Sequence, residues 1–124
     1  QDRSSAASDV YKRQAYGYTV AKDRLFQMDL QRRLSQGKLS ELLGDDLVEI
    51  DIMFRTYLFK NWAENYLSSS HLSEESLSYV NAFVEGVNHF VETGEKPFEY
   101  YLLNANVESF SAVDVASMTA YMAI

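Results

Sequence analysis

Two histidines, two pairs of adjacent acids, two adjacent arginines and a serine-rich linker are the groups in this sequence with an evident chemical use. His71 and His89 lie 18 residues apart in a chain with no cysteine, so neither the spacing nor the ligand set of a zinc site is present. The lack of cysteine also rules out disulfides and thiolate chemistry. Asp45-Asp46 and Glu74-Glu75 resemble paired carboxylates for acid–base work. Each pair precedes a helical pattern, where carboxylates accept from free backbone N–H groups, and capping accounts for both. Arg32-Arg33 could hold an anion, but it ends a helical pattern. There such side chains bond the last carbonyls and pair with nearby acids. Ser68-Ser69-Ser70 sits in no Gly-x-Ser-x-Gly motif, and no glycine-rich phosphate loop occurs. We read no catalytic residue and no metal ligand in the chain.

The element that must position these groups is the stretch from Tyr16 to Gly44. At about 100° per residue, Tyr18, Ala21, Leu25 and Met28 form one apolar row, and Phe26, Leu30 and Leu34 a second. Lys22, Asp29 and Arg33 fall between them, with Asp29 one turn before Arg33. A surface helix needs one apolar stripe. Two stripes predict a helix covered from two sides, built into something larger. The helix is expected from about Ala15 to Gln36, with Gly37 at the left-handed C′ position. A short helix over Lys38–Leu43 then ends at Gly44, with Leu39, Leu42 and Leu43 on its apolar side.

Asp45 or Asp46 is expected to cap a helix from Leu47 to about Leu67, in which Asp51 precedes Arg55 by one turn. After the serine linker, Ser73 is the next N-cap, and Leu72 and Leu77 are placed as a hydrophobic staple. Leu77, Val80, Phe83 or Val84, Val87 and Val91 continue the apolar face to Gly94. Gly86 inside this helix implies close approach of a neighbour, since an interior glycine costs about 1 kcal/mol relative to alanine. Pro97 starts a short helical turn. Ser111 with Asp114 caps the last helix, from Ala112 onward.

Residues 1–14 are polar and show no helical or strand period. We set them aside as translated adaptor or cloning sequence, the alternative being a genuine polar arm. The 124 residues carry a formal charge of −7, or −8 without that leader, and the bases are scattered, which argues against a nucleic-acid surface. No run approaches the roughly 18 apolar residues of a membrane span, and no signal peptide is visible. Apolar content of 47% is enough for a packed core.

Gly17-Tyr18, Ala21, Asp23-Arg24-Leu25, Gln27-Met28-Asp29-Leu30, Arg32-Arg33, Gly37, Leu39-Ser40-Glu41 and Gly44 together resemble the start of the penicillin acylase family, in the part that becomes its small (α) chain. Arg55-Thr56, Gly86-Val87-Asn88 and Met122-Ala123 match further positions, so the resemblance covers Ala15 to Ile124. It departs at two places. The strand with Arg-Asp and Gly-Val-Pro-His that opens the family is missing. The Pro-x-x-Trp before the last helix is replaced by Val107-Glu108-Ser109-Phe110, which keeps an aromatic.

The resemblance implies a mainly α segment of an N-terminal nucleophile (αββα) hydrolase, without its β sheets. It implies a zymogen that cuts itself, so that a serine becomes the first residue of a β chain, with its own α-amino group as base. Substrates would be the linear amide of a β-lactam side chain, an N-acyl-homoserine lactone or a similar N-acyl compound. The partner would be the β chain of the same precursor, with no nucleic acid and no membrane span, in the periplasm or secreted. Calcium is implied only for the full-length enzyme. By the same resemblance Tyr16, Tyr18 and Met122 are substrate-binding residues beside the acyl pocket. The alternative for the tyrosines is core packing with satisfied hydroxyls. The chain ends inside an apolar helical run and reads as a truncated piece, inactive alone. The competing reading is a non-enzymatic helical binding or scaffold module.

Overall fold

Apolar residues recurring every third or fourth position make helices that must bury one face against another, and helices account for most of the described residues. The computed structural model describes residues 2–68 and 73–122, with side chains for 8–68 and 73–120. His71 and Leu72, and so the expected staple, lie outside the described residues, as do Gln1, Ala123, Ile124 and the side chains of Ser4, Ser5 and Met122. The helices are α1 (Asp2–Ser35), α2 (Ser40–Leu43), α3 (Val48–Tyr57), α4 (Phe59–Ser68), α5 (Glu74–Thr93), α6 (Phe98–Leu102) and α7 (Ala112–Met122). A 3-10 turn at Asp45–Leu47 leads into α3. No strand occurs among the described residues, and the fold is mainly α.

The core forms where α1 lies against α5. Ala21, Leu25 and Met28 from α1 meet Val84, Val87 and Phe90 from α5, and Phe110 and Met118 close the cluster. This is the first apolar row of the sequence. Two glycines let the helices touch. A Cβ on Gly86 would overlap the Gln14 carbonyl, and one on Gly17 would overlap the Phe83 carbonyl. The interior glycine at position 86 therefore marks the close approach expected of it.

Several ends form as their residues require. Gly37 has φ 69°. Its N–H donates to the Leu34 carbonyl at 3.1 Å and the Lys38 N–H to the Arg33 carbonyl at 2.7 Å, the paired bonds of a Schellman ending. Ser73 Oγ accepts from the Ser76 N–H at 3.0 Å and starts α5. Gly94 ends α5 with an extended backbone. What requires glycine there is the Phe90 ring, which a Cβ would overlap.

Other elements differ from the sequence pattern. α1 begins at Asp2 rather than Ala15 and leaves helical geometry at Arg24 (φ −147°, ψ 38°). From the leader, Gln14 Nε2 donates to Glu85 Oε2 at 2.6 Å and Arg13 lies over the Tyr79 ring at 5.2 Å. The single helix expected over 47–67 is broken at Leu58, whose left-handed backbone (φ 60°, ψ 35°) separates α3 from α4. Leu47, Ile50, Phe54 and Leu58 lie one turn apart, as do Phe59, Trp62 and Tyr66, and these two apolar rows meeting at residues 58 and 59 fall on two short helices. Asp45 and Asp46 lie in the 3-10 turn, and neither side chain makes a capping bond to α3. Leu43, expected on the apolar side of α2, is exposed, while Leu42 is buried. α4 then packs against α7.

Candidate functional site

Two places gather the side chains with chemical potential. The first is an open cleft of about 690 Å³ between the first half of α1 and α5, walled by Tyr11, Tyr18, Thr19, Glu85 and His89 among others. Tyr18 is half-buried. Its ring stands edge-on to Phe90 with centroids 5.5 Å apart, and lies 5.6 Å from His89. Tyr16 faces elsewhere: it is 58% exposed and leans on Phe83 at 5.8 Å. Met122 ends α7. Of the two expected tyrosines, Tyr18 is a wall of this cleft and Tyr16 is not. Thr19 Oγ1 donates to the Ala15 carbonyl at 2.9 Å. Among the described residues no serine or threonine hydroxyl is hydrogen-bonded to an imidazole, the pairing an activated nucleophile uses.

The second place is a buried polar core where the second half of α1 meets α6 and α7. Asp29 is fully buried. Its Oδ1 accepts from Arg32 Nη2 at 2.8 Å and Nε at 3.3 Å, and its Oδ2 from Arg33 Nε at 3.1 Å and Tyr100 Oη at 2.6 Å. The Asp29–Arg33 pair is the one read from helical spacing. Arg32 turns away from its own last turn. It donates to the Glu108 carbonyl at 3.0 Å, the Ser109 carbonyl at 2.8 Å and Asp114 Oδ2 at 3.2 Å, and its guanidinium lies 3.7 Å over the Phe110 ring. Arg33 reaches the Asn106 carbonyl at 3.4 Å. Both arginines thus bond carbonyls of the α6–α7 linker, where last-turn carbonyls were expected.

Asp114 also accepts from Gln36 Nε2 at 2.6 Å and the Ser111 N–H at 2.9 Å, while its own N–H donates to Ser111 Oγ at 3.2 Å. The expected Ser111–Asp114 cap is therefore joined to α1. Asn88 clamps the same linker: its Nδ2 donates to the Phe110 carbonyl at 2.8 Å and its Oδ1 accepts from the Phe110 N–H at 2.6 Å. Burial, and then the bond to Asp29 and its charge, push the Tyr100 phenol far above the ordinary tyrosine value, so it remains a donor.

A second buried carboxylate serves α2. Asp51 accepts from the Leu39 N–H at 2.7 Å, the Ser40 N–H at 3.0 Å and Ser40 Oγ. Burial raises its pKa, but these bonds and the Arg55 charge outweigh that and hold the carboxyl below the ordinary range. Arg55 donates to the Gly37 carbonyl at 2.9 Å. The Asp51–Arg55 pair read from the sequence remains as a charge interaction, while the hydrogen bonds of both residues reach back to the α1–α2 turn.

Tyr100, Asn88 and the outward reach of Arg32 are what sequence reasoning missed. Tyr100 and Asp29 are 71 positions apart, and no local pattern links them. Calcium takes six to eight oxygen ligands. Asp29 and Asp51 are saturated by N–H and O–H donors, and no metal-holding cluster of acidic or histidine side chains occurs among the described residues.

The family model described as penicillin amidase matches residues 6–124. Over 107 residues the chain is 36% identical to the penicillin acylase 2 proenzyme of a Pseudomonas species, covering 86% of this chain and 13% of that protein. It is 36% identical over 77 residues to penicillin G acylase of Escherichia coli, and 35% identical over 77 residues to the acyl-homoserine lactone acylase QuiP of Pseudomonas aeruginosa. Each of these two matches covers 62% of this chain and 9% of the relative.

Proposed function

The chain belongs to the penicillin amidase family, and on that premise we propose that it forms the helical wall of a longer amidohydrolase, with the nucleophile supplied by another part of the polypeptide. The reaction is hydrolysis of a linear amide in an N-acyl compound, such as a β-lactam side chain or an N-acyl-homoserine lactone. The observation that carries this reading is the family match running through every element that builds the polar core, from Asp29 to Asp114. The chain spans 13% of the length of the Pseudomonas proenzyme. Its relative's description as a proenzyme supports a precursor that matures into partner chains, this segment packing against the β chain.

Exposed apolar residues agree with such packing. Ile52, Tyr57, Leu58 and Trp62 on α3–α4, and Phe98, Tyr101 and Leu102 on α6, are bare in the chain alone. No described helix is long and apolar enough to cross a membrane, and family membership supports a periplasmic or secreted location. Tyr18 and Met122, with Tyr16 further out, are proposed to meet the acyl group. The nucleophile and its base belong to a residue outside this segment, and the oxyanion donors to the β chain.

The test places residues 15–124 in the matching segment of the Pseudomonas proenzyme. The chimera should cleave itself and release chromophore from an acyl anilide, while the purified chain stays at the level of a heat-killed control. Turnover by the purified chain, abolished by a point change within residues 15–124, overturns the reading.

A further inference from the structure

We propose that Arg32 is the positioning residue that fixes α7 and thereby sets acyl selectivity. This rests on the reading above that the Met122 end of α7 meets the acyl group. An arginine carries five N–H donors in a fixed planar fork. Arg32 uses them in five bonds: two to Asp29, one each to the Glu108 and Ser109 carbonyls, and one to Asp114. Its flat face covers Phe110. Arg32, 6% exposed as a residue, therefore ties α1 through one guanidinium to the linker before α7, to the aromatic anchor of that linker and to the carboxylate capping α7.

A lysine presents three donors from a point and cannot reproduce the fork. Eleven residues of α7 span about 16 Å, so a small tilt at Asp114 becomes a shift of order 1 Å at the far end. Displacements of that size change rates by up to about a hundredfold. An acyl pocket reads a single methylene as a tenfold to two-hundredfold difference. A tilt should therefore change the ratio between acyl groups as well as the overall rate.

The experiment uses the proenzyme chimera, its active sites counted by burst titration, with phenylacetyl and long-chain acyl anilides sharing one aniline. Arg32→Lys is expected to change the ratio of the two kcat/KM values about tenfold, chiefly through KM. Met122→Ala is the companion variant and is expected to move the same ratio. If Met122→Ala moves it and Arg32→Lys lowers both substrates equally, Arg32 is structural only and the proposal is overturned. If Met122→Ala leaves the ratio unchanged, the reading of the α7 end fails and this inference falls with it. Should Arg32→Lys not mature, Asp114→Asn, which keeps the Asp29–Arg32 bonds, carries the same two outcomes.

Discussion

The junction of α1 with α6 and α7 and the arm formed by α3 and α4 solve the same problem in opposite ways. At the junction, charged side chains are buried and answered: Asp29, Arg32 and Tyr100 are nearly inaccessible, and no buried side-chain nitrogen or oxygen among the described residues lacks a partner. On the arm, Ile52, Met53, Tyr57, Leu58 and Trp62 stay about half exposed, with Phe54, Phe59 and Ala63 buried beneath. Directed bonds in a low-dielectric interior hold elements in one arrangement, because a half-satisfied network is worse than none. Apolar surface is not directional. The junction is where this chain fixes its own geometry, and the arm is where it leaves apolar surface exposed.

The largest break in that comparison should come from truncating one residue on each side. Arg32→Ala leaves Asp29 buried with one guanidinium lost, and breaking a buried pair costs about 3–5 kcal/mol. Trp62, half exposed and stacked on Tyr66 at 5.0 Å, should cost under about 1 kcal/mol when changed to alanine. Urea unfolding of the purified chain followed by circular dichroism measures both. Equal losses would erase the distinction between junction and arm.

A smaller effect should come from Tyr100→Phe, which removes the hydroxyl donor to Asp29 and should cost about 1.5–3 kcal/mol, as for hydrogen bonds to charged groups. The pH dependence has a definite sign. The phenol is raised in the folded chain, so its stabilisation is complete below the ordinary tyrosine value of about 10. It declines as pH rises above that value towards the folded one. The difference in midpoint between the parent chain and Tyr100→Phe should therefore shrink above that pH. A gap that widens in alkali would mean that Tyr100 does not donate to Asp29.

The smallest expected change sharpens the arm. Leu58 pays for a left-handed backbone that a leucine disfavours by about 1–2 kcal/mol. It is 55% exposed, so little packing is lost with its side chain. Leu58→Gly should raise stability by up to about 1 kcal/mol once the entropy of glycine is subtracted. Thermal melting would register the opposite, a lower midpoint, if α3 and α4 were one continuous helix.

What was legible in the sequence was local or periodic. The row of Ala21, Leu25 and Met28, the Gly37 ending, the Ser73 cap, the Asp29–Arg33 pair and the close approach at Gly86 each follow from spacing within one helix or one turn. The break at Leu58 was not legible, because nothing in leucine's chemistry asks for a left-handed backbone. The helical start at Asp2 was equally hidden, since residues 1–14 carry no apolar period. The polar core escaped for a different reason. Asp29 with Tyr100, Arg32 with Ser109 and Asn88 with Phe110 are joined across long separations, and sequence spacing says nothing about such pairs. Of the tyrosines read as pocket residues, Tyr18 is a wall of the cleft against α5 and Tyr16 leans on Phe83.

The central claim is that side chains of the junction, rather than helix formation, hold the start of α7. Amide hydrogen exchange at Phe110 tests it most directly. That amide belongs to no helix, and its partner is the Asn88 side chain at 2.6 Å. We expect it to exchange as slowly as the core of α5, and to lose that protection in Asn88→Ala while α5 remains protected. A Phe110 amide that exchanges at the rate of an open loop, beside an intact α5, would contradict the account.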